Sequence, residues 1–471
     1  MSIVRNKTFS ITKKVRRMTI LWRYFIFVAG LLLFGACQQK EAMNSVKKED
    51  HVNLVKLKNH TKEFRQEIIK LNPNVYVAVG FDGSNTSMII GEDGVIIIDA
   101  LRSLGAAEKV AEAFRKICPK PVKAVIYTHG HEDHTGGTSA FTQGNNKIPV
   151  IAREGFKKEL QEKSPVRRIL QKRNERQFGR VLPKEQIINR GVAPGYTSKD
   201  RVGKGYIKPT RVFKDSLTIQ IAGIPIHLYA ANGETNDALF VWCPKYKSLF
   251  TGDNYYKAFP NLYAIRGSRY RDIESWGNMV LKMSTFPSTS LIPGHTRPLK
   301  GKENIHKNLT NYATAILSVY HQTIDAMNEG YTLQETVDRV QLADSLKEQS
   351  NLQEFYGSVA WGVRSIYTHY VGWFDGNPTN LYPLTEKKEA QKMISLAGGA
   401  SKTFDKFDKA YQQEEYQWAL QLSDYLIITK YKVAEVTKIQ IKCLRALASQ
   451  QLNAPARNYY LSCAEELNTK Q

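Results

Sequence analysis

A chain of 471 residues, 42% hydrophobic and 10% aromatic, has ample material for packed cores, and its length predicts two to three domains. The formal charge of +23 marks it as strongly basic, and the composition is that of an ordinary globular chain rather than a low-complexity one. Beyond residue 37 the cysteines are Cys118, Cys243, Cys443 and Cys463, scattered and without CxxC spacing, which excludes a dense disulfide framework.

Residues 1 to 19 carry six basic residues and no acidic one, and Arg23 adds a seventh. Leu21 to Phe34 is apolar but too short for a comfortable membrane span, so an export signal is expected. It closes Leu32-Leu33-Phe34-Gly35-Ala36-Cys37, which resembles a bacterial lipobox. The resemblance implies lipidation of Cys37, a membrane anchor there and, with Gln38 following, residence at the periplasmic face of the outer membrane or the cell surface. A plain uncleaved anchor is the alternative. Residues 38 to 65 are lysine-rich and read as a polar tether ahead of a catalytic domain.

Three strands are expected at Val75–Val79, Thr86–Ile90 and Gly94–Asp99, joined by Gly- and Asp-containing turns, then a helix over Ala106–Cys118. Val122-Lys-Ala-Val-Ile-Tyr-Thr128 is a β-branched run typical of a buried strand. It leads into Thr128-His-Gly-His-Glu-Asp-His-Thr-Gly-Gly137, where four metal-capable side chains fall within six positions. His129, His131, Asp133 and His134 would emerge together at a strand's end, where function in open sheets concentrates. Imidazole and carboxylate suit Zn²⁺, Mn²⁺ or Fe²⁺, and this spacing can serve two ions.

The His-x-His-x-Asp-His run after a strand resembles the signature of the metallo-β-lactamase superfamily. That resemblance implies an α/β architecture, the αββα sandwich.

Residues 153 to 214 hold 18 Lys or Arg against six Asp or Glu. Such a run forms a solvated helical face, a funnel for an anionic substrate, or a contact with an anionic membrane. Nucleic acid is not expected as a partner, because export removes the opportunity and no recognised binding module accompanies the charge.

A second set of strands is expected near Leu217–Ile221, Ile224–Ala231, Ala238–Trp242 and Ser248–Thr251. Turns after them carry Glu234 in Asn232-Gly-Glu-Thr-Asn-Asp237 and Asp253 in Thr251-Gly-Asp-Asn254, and His295 stands in Ile292-Pro-Gly-His-Thr296. Singly these are turn formers. Their order behind the histidine cluster is similar to that of the linear alkylsulfatases, the type III sulfatases, which carry Glu where most of the superfamily has His. Phe259-Pro-Asn-Leu-Tyr-Ala-Ile-Arg-Gly267 is also similar to that family's Asn-Leu-Tyr-Thr-Leu-Arg-Gly stretch, which implies sulfate binding by Asn261 and Arg266. An Arg fork with an amide donor suits the sulfate oxygens.

From about residue 306 a helical array is expected, including a repeat-like pair at Tyr416–Thr429 and Val433–Gln451. Tyr370-Val-Gly-Trp-Phe-Asp-Gly-Asn-Pro378 and the closing Arg457 to Leu467 resemble the family's dimerisation domain, which implies a homodimer. The organisation expected is therefore a signal at 1–37, a tether at 38–65, a catalytic domain at 66–305 and a helical domain at 306–471.

The chain departs from the family at two points: it stops before the sterol-carrier-protein-like domain many members carry, and Pro260 replaces a His commonly found before the Asn of the Asn-Leu-Tyr stretch. The first puts long alkyl specificity in doubt, and the second removes a general acid. The resemblance implies one Zn²⁺ on His129, His131 and Glu234, a second on Asp133, His134 and His295, Asp253 bridging, and hydroxide between them attacking an anionic sulfate ester. Asp133 and Asp253 are the catalytic carboxylates in this scheme, and carbon-oxygen cleavage is favoured. Hydrolysis of another ester, lactone, β-lactam or phosphodiester on the same site is the alternative, and a non-catalytic surface lipoprotein a third reading.

Overall fold

The computed structural model describes residues 51–156 and 164–469. The signal, Cys37 and the first part of the tether lie outside the described residues. Among the described residues no helix is long and apolar enough to cross a membrane.

Two mixed sheets face each other. The first runs β1 (Glu67–Asn72), β2 (Val75–Val79), β3 (Thr86–Ile90), β4 (Val95–Ile98), β5 (Val122–Ile126), β6 (Val150–Arg153) and β7 (Arg211–Phe213), in spatial as in chain order. The second is ordered β13-β12-β11-β10-β9-β8, built from β8 (Ser216–Ile221), β9 (Ile224–Ala230), β10 (Leu239–Cys243), β11 (Ser248–Gly252), β12 (Ser290–Pro293) and β13 (Leu299–Lys300). β4 pairs parallel with β5, and β11 parallel with β12, so four strand ends carrying site residues point the same way within their sheets.

One core fills the space between the sheets, with Ile96, Ile98, Ile126, Leu228, Val241 and Phe250 among its members. The helix Leu104–Ile117 covers the outer face of the first sheet. Its start is set by Ser103, whose side chain accepts the Ala106 amide at 3.1 Å, and Ala106, Ala107, Val110, Ala111 and Phe114 form its buried stripe. The helices Ile273–Ser284 and Lys302–Asn328 cover the second sheet. Strands covered on both faces read as unbroken apolar runs, as Val-Ile-Ile-Ile in β4 and Leu-Phe-Val-Trp-Cys in β10 do. This is the expected αββα sandwich, followed by an all-helical region.

Two boundaries differ from the sequence reading. Residues 52 to 64, read as tether, form the helix Val52–His60 and a following turn, with Leu54, Leu57, His60 and Phe64 buried. Leu57 packs with Val192, Tyr256 and Phe355, and removing a wholly buried Leu costs about 2–5 kcal/mol, too much for a loose linker. The boundary at 306 falls inside the helix Lys302–Asn328, whose Leu309, Tyr312 and Ile316 share one core with Leu249, Trp276 and Leu291 of the sandwich. A separate helical core begins farther on, with Ile394, Phe407, Leu422, Leu426 and Val436.

The last helix, Ala454–Asn468, returns to the sandwich side. Arg176, on the helix Arg167–Gln177, donates to both Glu466 oxygens, at 2.8 and 2.6 Å. Asn453 donates to the carbonyls of Glu354, Tyr356 and Gly357 at 3.0 to 3.1 Å. The helical region thereby fixes two walls of the cavity described next.

Candidate metal centre

Every sequence-derived ligand sits just past a strand. His129, His131, Asp133 and His134 follow β5, Glu234 lies between β9 and β10, Asp253 follows β11 and His295 follows β12. The fold brings five of the seven into two tight groups, His129 with His134 and Asp253, and Asp133 with His134 and His295, the ligand atoms of each group lying within 4.8 Å of one another. Asp253 is central: its carboxylate lies 3.6 Å from His129 Nε2, 3.5 Å from His134 Nε2 and 3.1 Å from His295 Nε2. His131 and Glu234 stand at the same cavity, and the His131 ring centroid is 4.4 Å from that of His129.

Three of the four imidazoles are oriented from behind. His134 donates from Nδ1 to Asp99 Oδ2 at 2.8 Å, and His295 donates from Nδ1 to the Gly83 carbonyl at 2.9 Å. Thr128 donates its amide and hydroxyl to Asp99, each at 2.8 Å, which leaves Thr128 Oγ1 to accept from His129 Nδ1 at 3.1 Å. All three rings therefore turn Nε2 toward the carboxylates. The turn bearing His295 is tied to the loop after β2 by Asn85, which donates to the Pro293 and Thr296 carbonyls. A side chain at Gly294 would place Cβ 2.2 Å from Asp253 Oδ1, so only glycine lets this turn approach the carboxylate.

The residues present fit metal. His129 Nε2, His134 Nε2 and Asp253 Oδ1 are buried and have no hydrogen-bond partner, an arrangement buried polar atoms rarely keep unless an ion joins them. Electrostatics agree. Burial opposes charge throughout, yet His295, His134 and His129 together hold Asp253 well below the ordinary carboxylate range. Burial likewise disfavours a proton on His134 and His295, but the carboxylates, Asp253 foremost, push both upward. His129, buried beside His134 and His131, goes well below its ordinary value. Protons and a metal ion would compete for these nitrogens, since a histidine ligates in its neutral form.

The ligands open onto a cavity of about 400 Å³. Arg266 is on its wall, its backbone amide donated to Gln177 Oε1 at 2.8 Å and its guanidinium 5.9 Å from the Phe178 ring. Asn261 is buried nearby, its backbone amide donated to the Tyr256 hydroxyl at 2.8 Å and its backbone carbonyl accepting from Arg271. Arg271 in turn lies 2.8 Å from Glu234 Oε1, with both side chains 4% exposed. Asp99, Gly83, Arg271 and Gly294 carry no local sequence signal for these roles, since none shows its spatial partner there.

The basic segment divides. Arg153 donates to Asn232 Oδ1 at 2.8 Å and the Asn236 carbonyl at 2.6 Å, clasping the turn that carries Glu234. Arg201 pairs with exposed Glu108, whereas Arg167, Arg180 and Arg190 face the cavity.

A mixed two-sheet sandwich with a His/Asp cluster at its strand ends defines a protein of the metallo-β-lactamase class. Family profiles agree: residues 79–295 match the metallo-beta-lactamase superfamily and 332–470 match alkyl sulfatase dimerisation. The chain is 32% identical over 392 residues to a linear primary-alkylsulfatase of Pseudomonas sp. (strain ATCC 19151), covering 81% of this chain and 74% of that protein. A second linear primary-alkylsulfatase from Pseudomonas sp. is 26% identical, with 85% of this chain and 61% of that one covered. The solved structure of the stereoselective inverting sec-alkylsulfatase Pisa1 from Pseudomonas sp. superposes with a TM-score of 0.81 at 24% identity, over 89% of this chain and 69% of that one. The chain belongs to the alkylsulfatase family of the metallo-β-lactamase superfamily.

Proposed function

We propose that this protein is a zinc-dependent hydrolase that cleaves alkyl sulfate esters to alcohol and inorganic sulfate. The observation that carries the reading is the His/Asp cluster, with three unpartnered buried ligand atoms, on the same cavity as Arg266. His129, His131 and Glu234 would hold one ion, Asp133, His134 and His295 a second, with Asp253 between them. Zinc held by these residues would lower the pKa of bound water to about 7 and so supply a nucleophile at neutral pH.

The chain's own residues do the rest. Asp133 and Asp253 orient the nucleophile through their ionised oxygens. Arg266 receives the sulfate and stabilises its charge as the ester bond breaks, while the Arg271 to Glu234 pair holds that carboxylate at the cavity edge. Asn261, whose backbone carbonyl accepts from Arg271, would add its side-chain amide to Arg266 as a donor to the sulfate. With carbon-oxygen cleavage the nucleophile's oxygen becomes the alcohol oxygen and sulfate departs with the electron pair, so the step asks for no proton from the position that Pro260 occupies.

Homodimerisation through the helical region belongs to the same proposal, supported by the dimerisation profile. So does export with a lipid on Cys37, supported by the leader sequence alone.

Release of inorganic sulfate from hexyl sulfate, with and without added zinc, tests the proposal. Zinc-dependent release that disappears in His131→Ala is expected. Turnover and metal content unchanged in that variant would sink it.

A further inference from the structure

Arg266 and a metal pair already meet the single negative charge of a sulfate ester, yet the cavity presents more positive charge. Arg102 donates from Nε to Glu132 Oε2 at 3.1 Å, which balances it. Arg180 and Arg190 have no such partner. Among the described residues neither forms an ion pair, and the buried Nε atoms of both donate to nothing. Arg190 Nη1 is donated to the neutral Thr197 Oγ1 at 3.0 Å. Both guanidiniums lie 6.0 Å from the Phe178 ring, against 5.9 Å for Arg266, so one aromatic ring gathers three cations. Burial, then repulsion from neighbouring arginines, lowers the pKa of both, that of Arg190 to about 10.

Asp133 attracts both arginines through space, as Glu132 and Glu175 attract Arg180, but among the described residues no carboxylate lies within ion-pair distance of either. The wall offers little to a plain alkyl chain, since only Phe178, Val192, Ala193 and Tyr356 contribute apolar side chains among charged and polar ones. We propose that Arg180 and Arg190, with Phe178 as their platform, form a second anion subsite, so that the preferred substrates are sulfate esters whose organic part carries its own carboxylate or sulfate. Arginine forks suit either group. The proposal rests on the sulfatase reading and assigns its substrate class.

The test is calorimetric binding of non-hydrolysable sulfonates to the zinc-loaded protein: hexane-1-sulfonate, 6-sulfohexanoate and hexane-1,6-disulfonate. The two dianions are expected to bind about tenfold tighter than the monoanion, with the double variant Arg180→Gln/Arg190→Gln bringing that ratio to about one. Arg190→Lys, which keeps the charge, should retain much of it, so a loss through misfolding is recognisable. If the wild type binds all three alike, or the preference survives the double variant, the subsite is wrong. Sulfate release separates the two readings: hexyl sulfate hydrolysed with no dianion preference overturns the subsite alone. No release from either hexyl sulfate or 6-sulfooxyhexanoate overturns the sulfatase reading and the subsite with it. The carboxylate and sulfonate arms tell which second anion is preferred.

Discussion

Asp99 sets the orientation of two metal ligands at once: it accepts His134 Nδ1–H directly at 2.8 Å and reaches His129 through the Thr128 hydroxyl. His134 cannot turn without breaking its bond to this carboxylate, nor His129 without breaking its bond to the Thr128 hydroxyl that the carboxylate holds, and outer partners of this kind are worth roughly 10–100-fold in metal affinity. Asp99→Ala is therefore expected to weaken zinc binding by about that factor in a chelator competition while leaving the sandwich folded. An affinity within twofold of wild type would show that the histidines orient themselves.

Glu234 and Arg271 form a buried ion pair, and breaking such a pair by removing one partner costs about 3–5 kcal/mol because a lone charge stays buried. In the metal-free protein Arg271→Met should lower stability by about that amount in urea unfolding. Arg271→Met/Glu234→Gln should lose less, since no unpaired charge remains. Zinc should restore part of the loss in the single variant, because a cation at the cavity takes over the role of counter-ion. A single variant no less stable than the double would remove Glu234 from this account.

The ligands were legible because four fall within six residues behind an apolar strand, and the later three by their order on turns. Asp99 was visible only as the end of a strand. What gives it a role is the parallel pairing that sets Ile98 against Ile126 and brings the two strand ends together, a relationship no local pattern carries. Arg180 and Arg190 were legible as charge, but a solvated face and a cavity wall have the same composition, and only packing around Phe178 separates them.

The helix Val52–His60 shows the opposite loss. Its Leu54, Leu57 and His60, with Phe64 beyond, have helical spacing, yet the lysines and asparagines between them made the stretch read as tether. The strands β1 and β7 lie at a sheet edge and β13 has two residues, so their alternation was too weak or too short to stand out.

Residues 370 to 396 leave a set of large apolar side chains in solvent, with Trp373 76%, Tyr382 90% and Leu396 82% exposed, more than a monomer's surface ordinarily carries in one stretch. If the proposed homodimer covers this stretch, Trp373 would serve as an anchor, and such anchors contribute about 2 kcal/mol or more. Trp373→Asp is expected to weaken self-association roughly 30-fold by sedimentation analysis, with zinc content unchanged. A variant that associates like the wild type would move the interface elsewhere.

His60 stacks on Phe355 with centroids 3.9 Å apart, meets Phe64 edge-on, and donates Nε2–H to the Gly191 carbonyl at 2.7 Å. Burial is the main cause that lowers its pKa to about 4, from an ordinary 6.5. The unfolded chain therefore binds the extra proton between those values, and stability contributed by neutral His60 is present above pH 6.5, falls as pH drops toward 4, and changes no further below that. The loss is about 2 kcal/mol at pH 5 and about 3 kcal/mol across the whole window. His60→Gln keeps a donor for Gly191 without a titrating ring. Urea unfolding at pH 7 and pH 5 should show the wild type losing about 2 kcal/mol more than the variant between the two, and equal losses would mean that His60 takes its proton without leaving its place against Phe355.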